Sequence, residues 1–135
     1  MKKPMPQVRE FMTRTPIVAD ARSSLYQLRQ VMQKSNIRHL PVEKDGKIVG
    51  VVSERGLKSA LGFDQSEKLS AADIMSPEPF TVSPDTSLEE VAAIMAEEKY
   101  GSVLVKDENN QLQGIFTSVD ACRALRQILL TNFPE

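Results

Sequence analysis

The sequence predicts an α+β fold made of two copies of one β-α-β-β-α unit. Shifting the 135-residue chain by 63 positions aligns Met12 with Met75, and one extra residue in a later turn changes the shift to 64, which aligns Gly50 with Gly114. Within each copy, short β-branched segments alternate with segments of helical periodicity. A single copy of about 60 residues would bury too little apolar surface to be stable alone. We therefore expect the two copies to form one folding unit.

The first copy reads as one helix, a hairpin and a second helix. Leu25, Leu28, Val31 and Met32 recur at helical spacing, and a polar turn separates two apolar strands further on. The predicted elements, in order, are an extended segment at 16–18, a helix at 24–35, paired strands at 39–43 and 47–52, and a helix at 54–61.

The second copy repeats this order. Thr86 and Glu89 have the spacing of a capping box at the start of its first helix. The predicted elements are an extended segment at 80–82, a helix at 87–99, paired strands at 102–106 and 111–116, and a last helix at 118–130.

Each copy contains a strand-to-helix corner that begins with Gly and ends in a hydroxyl residue. In the second copy the hydroxyl is Thr117 and Asp120 follows three positions later, so both side chains point from one corner. The first copy has Ser53 and then Gly56, and Glu54 points to a different side of the helix start. Thr117 and Asp120 also have the spacing of a helix cap with an acidic third residue, worth about 1 kcal/mol without any ligand. Both interpretations stay open at this point.

Composition narrows the function classes. One cysteine, Cys122, and one histidine, His39, exclude a disulfide framework and the usual zinc sites, and neither has a catalytic partner at motif spacing. We therefore expect no metal site and no enzyme activity. A net charge of −1 and 5% aromatic residues argue against nucleic acid as a partner. With no apolar run of roughly 20 residues and no secretory signal, the expected location is cytoplasmic and not in a membrane.

Taken together and in order, these motifs resemble a tandem pair of CBS domains, the motif first described in cystathionine β-synthase. The repeat, the two corners, Arg38-His39-Leu40-Pro41-Val42, and the openings Met-Thr-Arg-Thr-Pro at Met12 and Met-Ser-Pro-Glu-Pro at Met75 carry the resemblance. It implies a stand-alone pseudo-twofold module. The implied boundaries are an N-terminal segment at 1–7, a first motif at 8–64, a linker at 65–70 and a second motif at 71–131.

The resemblance also implies clefts between the motifs that bind AMP, ADP, ATP or S-adenosylmethionine, with no required cofactor. In that family the corner aspartate accepts hydrogen bonds from both ribose hydroxyls, a role that falls here to Asp120 beside Thr117. Gly56 in place of aspartate implies weak or absent binding in the other cleft. The further residues implied for the wall of the Asp120 cleft are Val8, Ile37, Arg38, Gly101 and Ile115.

The leading hypothesis is a sensor that binds an adenosyl ligand and signals by conformational change to an effector protein of unknown identity. The resemblance further implies a homodimer through the helices Glu54–Leu61 and Ser118–Leu130. The alternative is a constitutive dimerisation or scaffold module whose clefts are vestigial, which Gly56 favours. A nucleic-acid binder is a third hypothesis, and an enzyme is the weakest.

Overall fold

The computed structural model describes residues 3–14 and 16–134, which fall into two compact units. One unit takes in the described residues of 1–15 and 80–135, and the other is formed by residues 16–79. Met1, Lys2, Thr15 and Glu135 lie outside the described residues. The start of the predicted segment 1–7 and one residue of the first Met-Thr-Arg-Thr-Pro opening are therefore not described.

The chain combines helices with two sheets of mostly antiparallel strands, and the α+β prediction is confirmed. The strands are β1 (Thr13–Arg14), β2 (Ala19–Asp20), β3 (His39–Lys44), β4 (Lys47–Ser53), β5 (Ser76–Pro77), β6 (Thr81–Val82), β7 (Ser102–Lys106) and β8 (Leu112–Thr117). The α-helices are α1 (Leu25–Ser35), α2 (Glu54–Leu61), α3 (Ala71–Ile74), α4 (Leu88–Glu98) and α5 (Ser118–Asn132). Short 3₁₀ turns occupy Val8–Glu10 and Ser66–Lys68.

Each unit holds a four-stranded sheet among the residues described, in the order β2-β3-β4-β5 and β1-β8-β7-β6. In each sheet the long hairpin lies in the centre, one short strand pairs parallel to it, and another pairs antiparallel to it. The outer antiparallel strands come from the two Met-containing openings. Each opening therefore joins the sheet built by the other sequence copy.

A glycine lets each outer strand approach its neighbour closely. Gly114 lies opposite Arg14 and Gly50 lies opposite Pro77. A Cβ atom on Gly114 would stand 2.7 Å from the Met12 sulfur, and one on Gly50 would stand 2.5 Å from the Met75 sulfur. Both positions therefore require glycine, because a contact this short is well inside van der Waals distance.

Matching caps begin and end the first helix of each sequence copy. The Ser24 hydroxyl accepts from the Gln27 N–H at 3.1 Å, and the Ser87 hydroxyl accepts from the Glu90 N–H at 3.1 Å. Asn36 and Lys99 then end α1 and α4 in the left-handed region, with φ of 52° and 61°. The predicted Thr86–Glu89 capping box is wrong, because the Thr86 hydroxyl instead accepts from the Ser83 N–H at 3.2 Å.

The extended segments were predicted slightly early. β2 begins at Ala19 and not at Pro16, since its parallel pairing with β3 starts where Ala19 meets Val42. β6 begins one residue after Phe80 for the same reason, with Thr81 opposite Leu104. Strand pairing and not local β propensity thus fixes both starts.

Each unit has its own apolar core. In the unit of residues 16–79, helix and sheet bury Leu25, Leu28, Leu40, Val52 and Leu57 among others. The other core contains Val8, Val91, Val103, Phe116 and Ala124 among others. Within the described chain, no helix has the length and apolar character needed to cross a membrane.

Candidate functional site

Thr117 and Asp120 form a closed hydrogen-bonded corner between β8 and α5. Thr117 is the last strand residue and has extended backbone angles, and its hydroxyl accepts from the Asp120 N–H at 3.3 Å. In return, Asp120 Oδ2 accepts from the Thr117 N–H at 2.9 Å and from the Thr117 hydroxyl at 3.1 Å. This is a complete capping box, so the helix-cap interpretation is correct for the structure. It does not exclude a second role for the carboxylate.

Asp120 is a buried carboxylate with further donors around it. Its exposed fraction is 4%. The Thr13 hydroxyl lies 3.2 Å from Oδ1 and 3.4 Å from Oδ2, and Arg123 Nη1 lies 3.7 Å from Oδ1. Arg123 is 75% exposed at its side chain, so this ion pair contributes little to stability. The short contacts to Thr13 and Thr117 therefore hold the carboxylate in place.

Thr13 is the site residue that the sequence did not reveal. It belongs to β1, which lies opposite Ile115 of β8, more than 100 residues further along the chain. A signal was present in the repeat, since Thr13 and Ser76 are hydroxyl residues that both follow a methionine and align at the 63-residue shift. Without the sheet register, nothing in the sequence connects either one to a corner.

The corner of the first sequence copy keeps the cap and lacks the acid. The Ser53 hydroxyl accepts from the Gly56 N–H at 3.0 Å. Glu54, the nearest carboxylate in sequence, forms an ion pair with Lys58 at 3.2 Å, and its side chain is 41% exposed. Glu54 therefore does not take the place that Asp120 has in the other corner.

Three other predicted residues lie in the same unit as Asp120. Ile115 is buried in β8, opposite Thr13 and Leu104. The Gly101 carbonyl accepts from the Ser118 N–H at 3.1 Å, which ties the start of β7 to the start of α5. Val8 is fully buried in the core of this unit. The contribution of these three residues to ligand binding stays a prediction.

Ile37 and Arg38 lie in the other unit, between α1 and β3. Ile37 is partly buried against the core, and its N–H donates to the Met32 carbonyl at 3.0 Å. Arg38 is exposed, and its backbone carbonyl accepts a hydrogen bond from the Glu54 N–H at 2.8 Å. Their assignment to the wall of the Asp120 site also stays a prediction from resemblance.

His39, next in the chain, is half-buried and lies opposite Ser53 in the β3–β4 ladder. Burial lowers its pKa from the usual 6.5, and the positive charge of Arg38 lowers it further. The negative charge of Glu54 opposes these two effects. The two larger effects therefore favour the uncharged imidazole.

Comparisons with known proteins agree on one family. The model of the CBS domain matches residues 8–62 and 71–127. The chain is 31% identical over 124 residues to an L-aspartate semialdehyde sulfurtransferase of Methanocaldococcus jannaschii, which covers 91% of this chain and 24% of that protein. It thus spans about a quarter of the length of this curated relative.

Two solved structures cover nearly the whole chain. CBSX2 from Arabidopsis thaliana in complex with AMP has a TM-score of 0.77 and 30% identity, covering 90% of this chain and 97% of that one. The CBS domain pair of protein MJ0100 in complex with 5′-methylthioadenosine and S-adenosyl-L-methionine has a TM-score of 0.83 and 28% identity, covering 93% and 99%. The predicted tandem pair is confirmed by both kinds of match.

Proposed function

The chain belongs to the CBS domain family, and from that premise we propose that it is a regulatory module that binds an adenosine-containing ligand at Asp120 and signals to a partner protein. The observation that carries the proposal is the 4% exposed carboxylate of Asp120, held at a strand-to-helix corner. The ligands named for CBSX2 and for the MJ0100 pair, which are AMP, 5′-methylthioadenosine and S-adenosyl-L-methionine, support the ligand class. Nothing in the proposal requires catalysis.

The chemistry of Asp120 suits a ribose. An ionised carboxylate accepts hydrogen bonds on both oxygens and can receive two vicinal hydroxyls at once. Each charge-assisted bond contributes roughly 1.5–3 kcal/mol relative to an unpaired group. The Thr13 and Thr117 hydroxyls, which donate to Asp120 in the free protein, can rotate to make room. Asp120 is therefore the group whose loss should weaken binding most.

Calorimetric titration of nucleotide-stripped protein with AMP, ADP, ATP and S-adenosylmethionine tests the proposal. We expect one ligand to bind near one equivalent per chain, and Asp120→Ala to weaken it by roughly 10- to 1000-fold. Because Asp120 also caps α5, thermal unfolding must show that the variant is folded. Glu54→Ala is the matched control, since it removes the carboxylate beside the other corner and should leave the affinity unchanged. Equal affinities of wild type and Asp120→Ala would contradict the proposal.

A scaffold function is the second candidate, and exposed apolar side chains on α5 favour it. Leu125, Leu129 and Leu130 are 56%, 46% and 53% exposed. In α2, by contrast, Leu57 and Ala60 are buried in the core of their own unit, so that stripe closes a core. Uncovered leucines on one helix are typical of a surface that pairs with another chain. A scaffold would bind none of the adenosyl ligands, which the titration decides.

We further propose that two chains pair through these helices, with α5 supplying most of the apolar surface. Sedimentation equilibrium should then give twice the 15.0 kDa mass of one chain. Leu125→Glu combined with Leu129→Glu should shift the mass to that of one chain, because buried unpaired carboxylates are costly. Gln127→Glu adds charge on the same helix at an already polar position and is the control. A single-chain mass for the wild type at tens of micromolar would contradict pairing.

A further inference from the structure

Thr13 occupies the part of Asp120 that the capping box leaves open. The Thr117 N–H and hydroxyl both bond to Oδ2, at 2.9 and 3.1 Å. Oδ1 receives the Thr13 hydroxyl at 3.2 Å, and its other neighbour is the Arg123 guanidinium at 3.7 Å. A ligand hydroxyl that donates to Oδ1 therefore uses the same oxygen as the Thr13 hydroxyl. A carboxylate oxygen has about two lone-pair positions, and those of Oδ2 are taken by the two Thr117 donors. Two ribose hydroxyls would need both positions of Oδ1, so they compete with Thr13.

We propose that Thr13 is an internal competitor for Asp120, which the ribose of a bound ligand displaces, and that this displacement loosens β1. The inference rests on the proposed function of Asp120 and adds how occupancy of that site is reported. We call the Thr13–Asp120 hydrogen bond the β1 latch.

Because Thr13 lies in a short edge strand, loss of the β1 latch should change how firmly that strand is held. β1 is an edge strand of two residues, Thr13–Arg14, and both residues are exposed. Short exposed edge strands open at low cost, so one side-chain hydrogen bond is a large share of what holds them. The neighbouring Met12 is partly buried against the core and keeps the segment attached. Loss of the latch should therefore loosen β1 without unfolding its unit.

The chain connects this event to the rest of the molecule. The unit of residues 16–79 begins two positions after the last residue of β1, Arg14. β1 is thus close in sequence to the start of the other unit. The binding signal has a covalent route and needs no new contact.

The other sequence copy supplies a matched control. Ser76 of β5 lies opposite Val51 of β4, as Thr13 lies opposite Ile115 of β8. The corner beside it carries Gly56 where the second copy has Asp120. Ser76 therefore shares the position of Thr13 and lacks its acceptor.

The test compares Thr13→Val, Thr13→Ser and Ser76→Ala with wild type, using AMP as the probe. Thr13→Val keeps the side-chain shape and removes the donor, so AMP should bind about three- to tenfold more tightly, the size of one competing hydrogen bond. Thr13→Ser keeps the hydroxyl, and both it and Ser76→Ala should match wild type. With 2′,3′-dideoxy-AMP, which lacks the hydroxyls that meet Asp120, the gain of Thr13→Val should vanish.

Hydrogen exchange gives a second readout. In wild type, saturating AMP should speed exchange of the amides of Thr13 and Arg14, the two residues of β1. In Thr13→Val those amides should exchange fast without ligand, and AMP should add nothing. If Thr13→Val fails to fold, Thr13→Ala gives the same comparison.

The outcomes separate the two proposals. If wild type binds AMP and Thr13→Val binds it equally or more weakly, the latch is wrong and the ligand site stands. Slower exchange of β1 with AMP would also overturn the latch. If wild type binds none of AMP, ADP, ATP and S-adenosylmethionine, both proposals fail together.

Discussion

At the end of β4 the Ser53 hydroxyl accepts from the Gly56 N–H at 3.0 Å, and at the end of β8 the Thr117 hydroxyl accepts from the Asp120 N–H at 3.3 Å. Both corners start a helix from an extended residue at the end of a strand, and in both cases a short outer strand pairs antiparallel with that strand. Only the second adds a carboxylate. The first corner shows that the fold builds this turn without the acid, so a helix cap alone does not account for a buried Asp120 that also binds Thr13.

The largest loss of stability should come from substituting the two glycines against which the outer strands pack. A Cβ on Gly114 would meet the Thr13 carbonyl at 2.7 Å, and one on Gly50 would meet the Ser76 carbonyl at 2.7 Å. A backbone oxygen cannot retreat without breaking strand pairing. Gly114→Ala and Gly50→Ala should therefore each lower the free energy of unfolding by about 1–3 kcal/mol, measured by urea denaturation.

Gly62→Ala is the control for these two variants. Its Cβ would meet the Ser59 carbonyl at 3.4 Å, an ordinary contact, so a change within about 0.5 kcal/mol is expected. Similar losses in Gly50→Ala and Gly114→Ala would show that the two corners rest on one framework. A loss of stability at one glycine alone would show that the two corners differ, because only one outer strand would then depend on close packing against its neighbour.

The sequence alone predicted much of the fold, because each element predicted in one copy is predicted again at the aligned position of the other. Helix positions followed from apolar spacing. The second hairpin strands were predicted to end at 52 and 116, and they end one residue later, at the hydroxyls Ser53 and Thr117. The starts of β2 and β6 were misplaced because parallel pairing, and not the nearby β-branched residues, decides where those strands begin. The cap of α4 was placed one position early, at Thr86 and not at Ser87, because threonine and serine are both favoured N-cap residues.

The candidate site was predicted only where it is local in sequence. Thr117 and Asp120 are three residues apart, so helix geometry alone places them together. Thr13 reaches Asp120 through the β1–β8 pairing, a contact between opposite ends of the chain that no short motif encodes. The difference between α2 and α5, one stripe buried and one exposed, likewise depends on packing and not on periodicity.

The smallest expected effect comes from giving the first corner the missing acid. In Gly56→Asp the new carboxylate should accept from the Ser53 N–H, as Asp120 accepts from the Thr117 N–H at 2.9 Å. A completed capping box and an acid in the first helical turn should raise the free energy of unfolding by about 0.5–1 kcal/mol, measured by urea denaturation.

Space at Gly56 decides whether that gain is realised. Its Cβ would lie 3.1 Å from the Ser53 hydroxyl, which is tight. The second corner shows the adjustment that relieves this contact, because its hydroxyl stands 3.3 Å from the amide where Ser53 stands 3.0 Å away. Gly56→Ala is the control, since it brings the same Cβ and better helix propensity without the acid. If Gly56→Asp is no more stable than Gly56→Ala, the carboxylate adds nothing to the cap, and the stability of the second corner comes from Thr13 and the surrounding core.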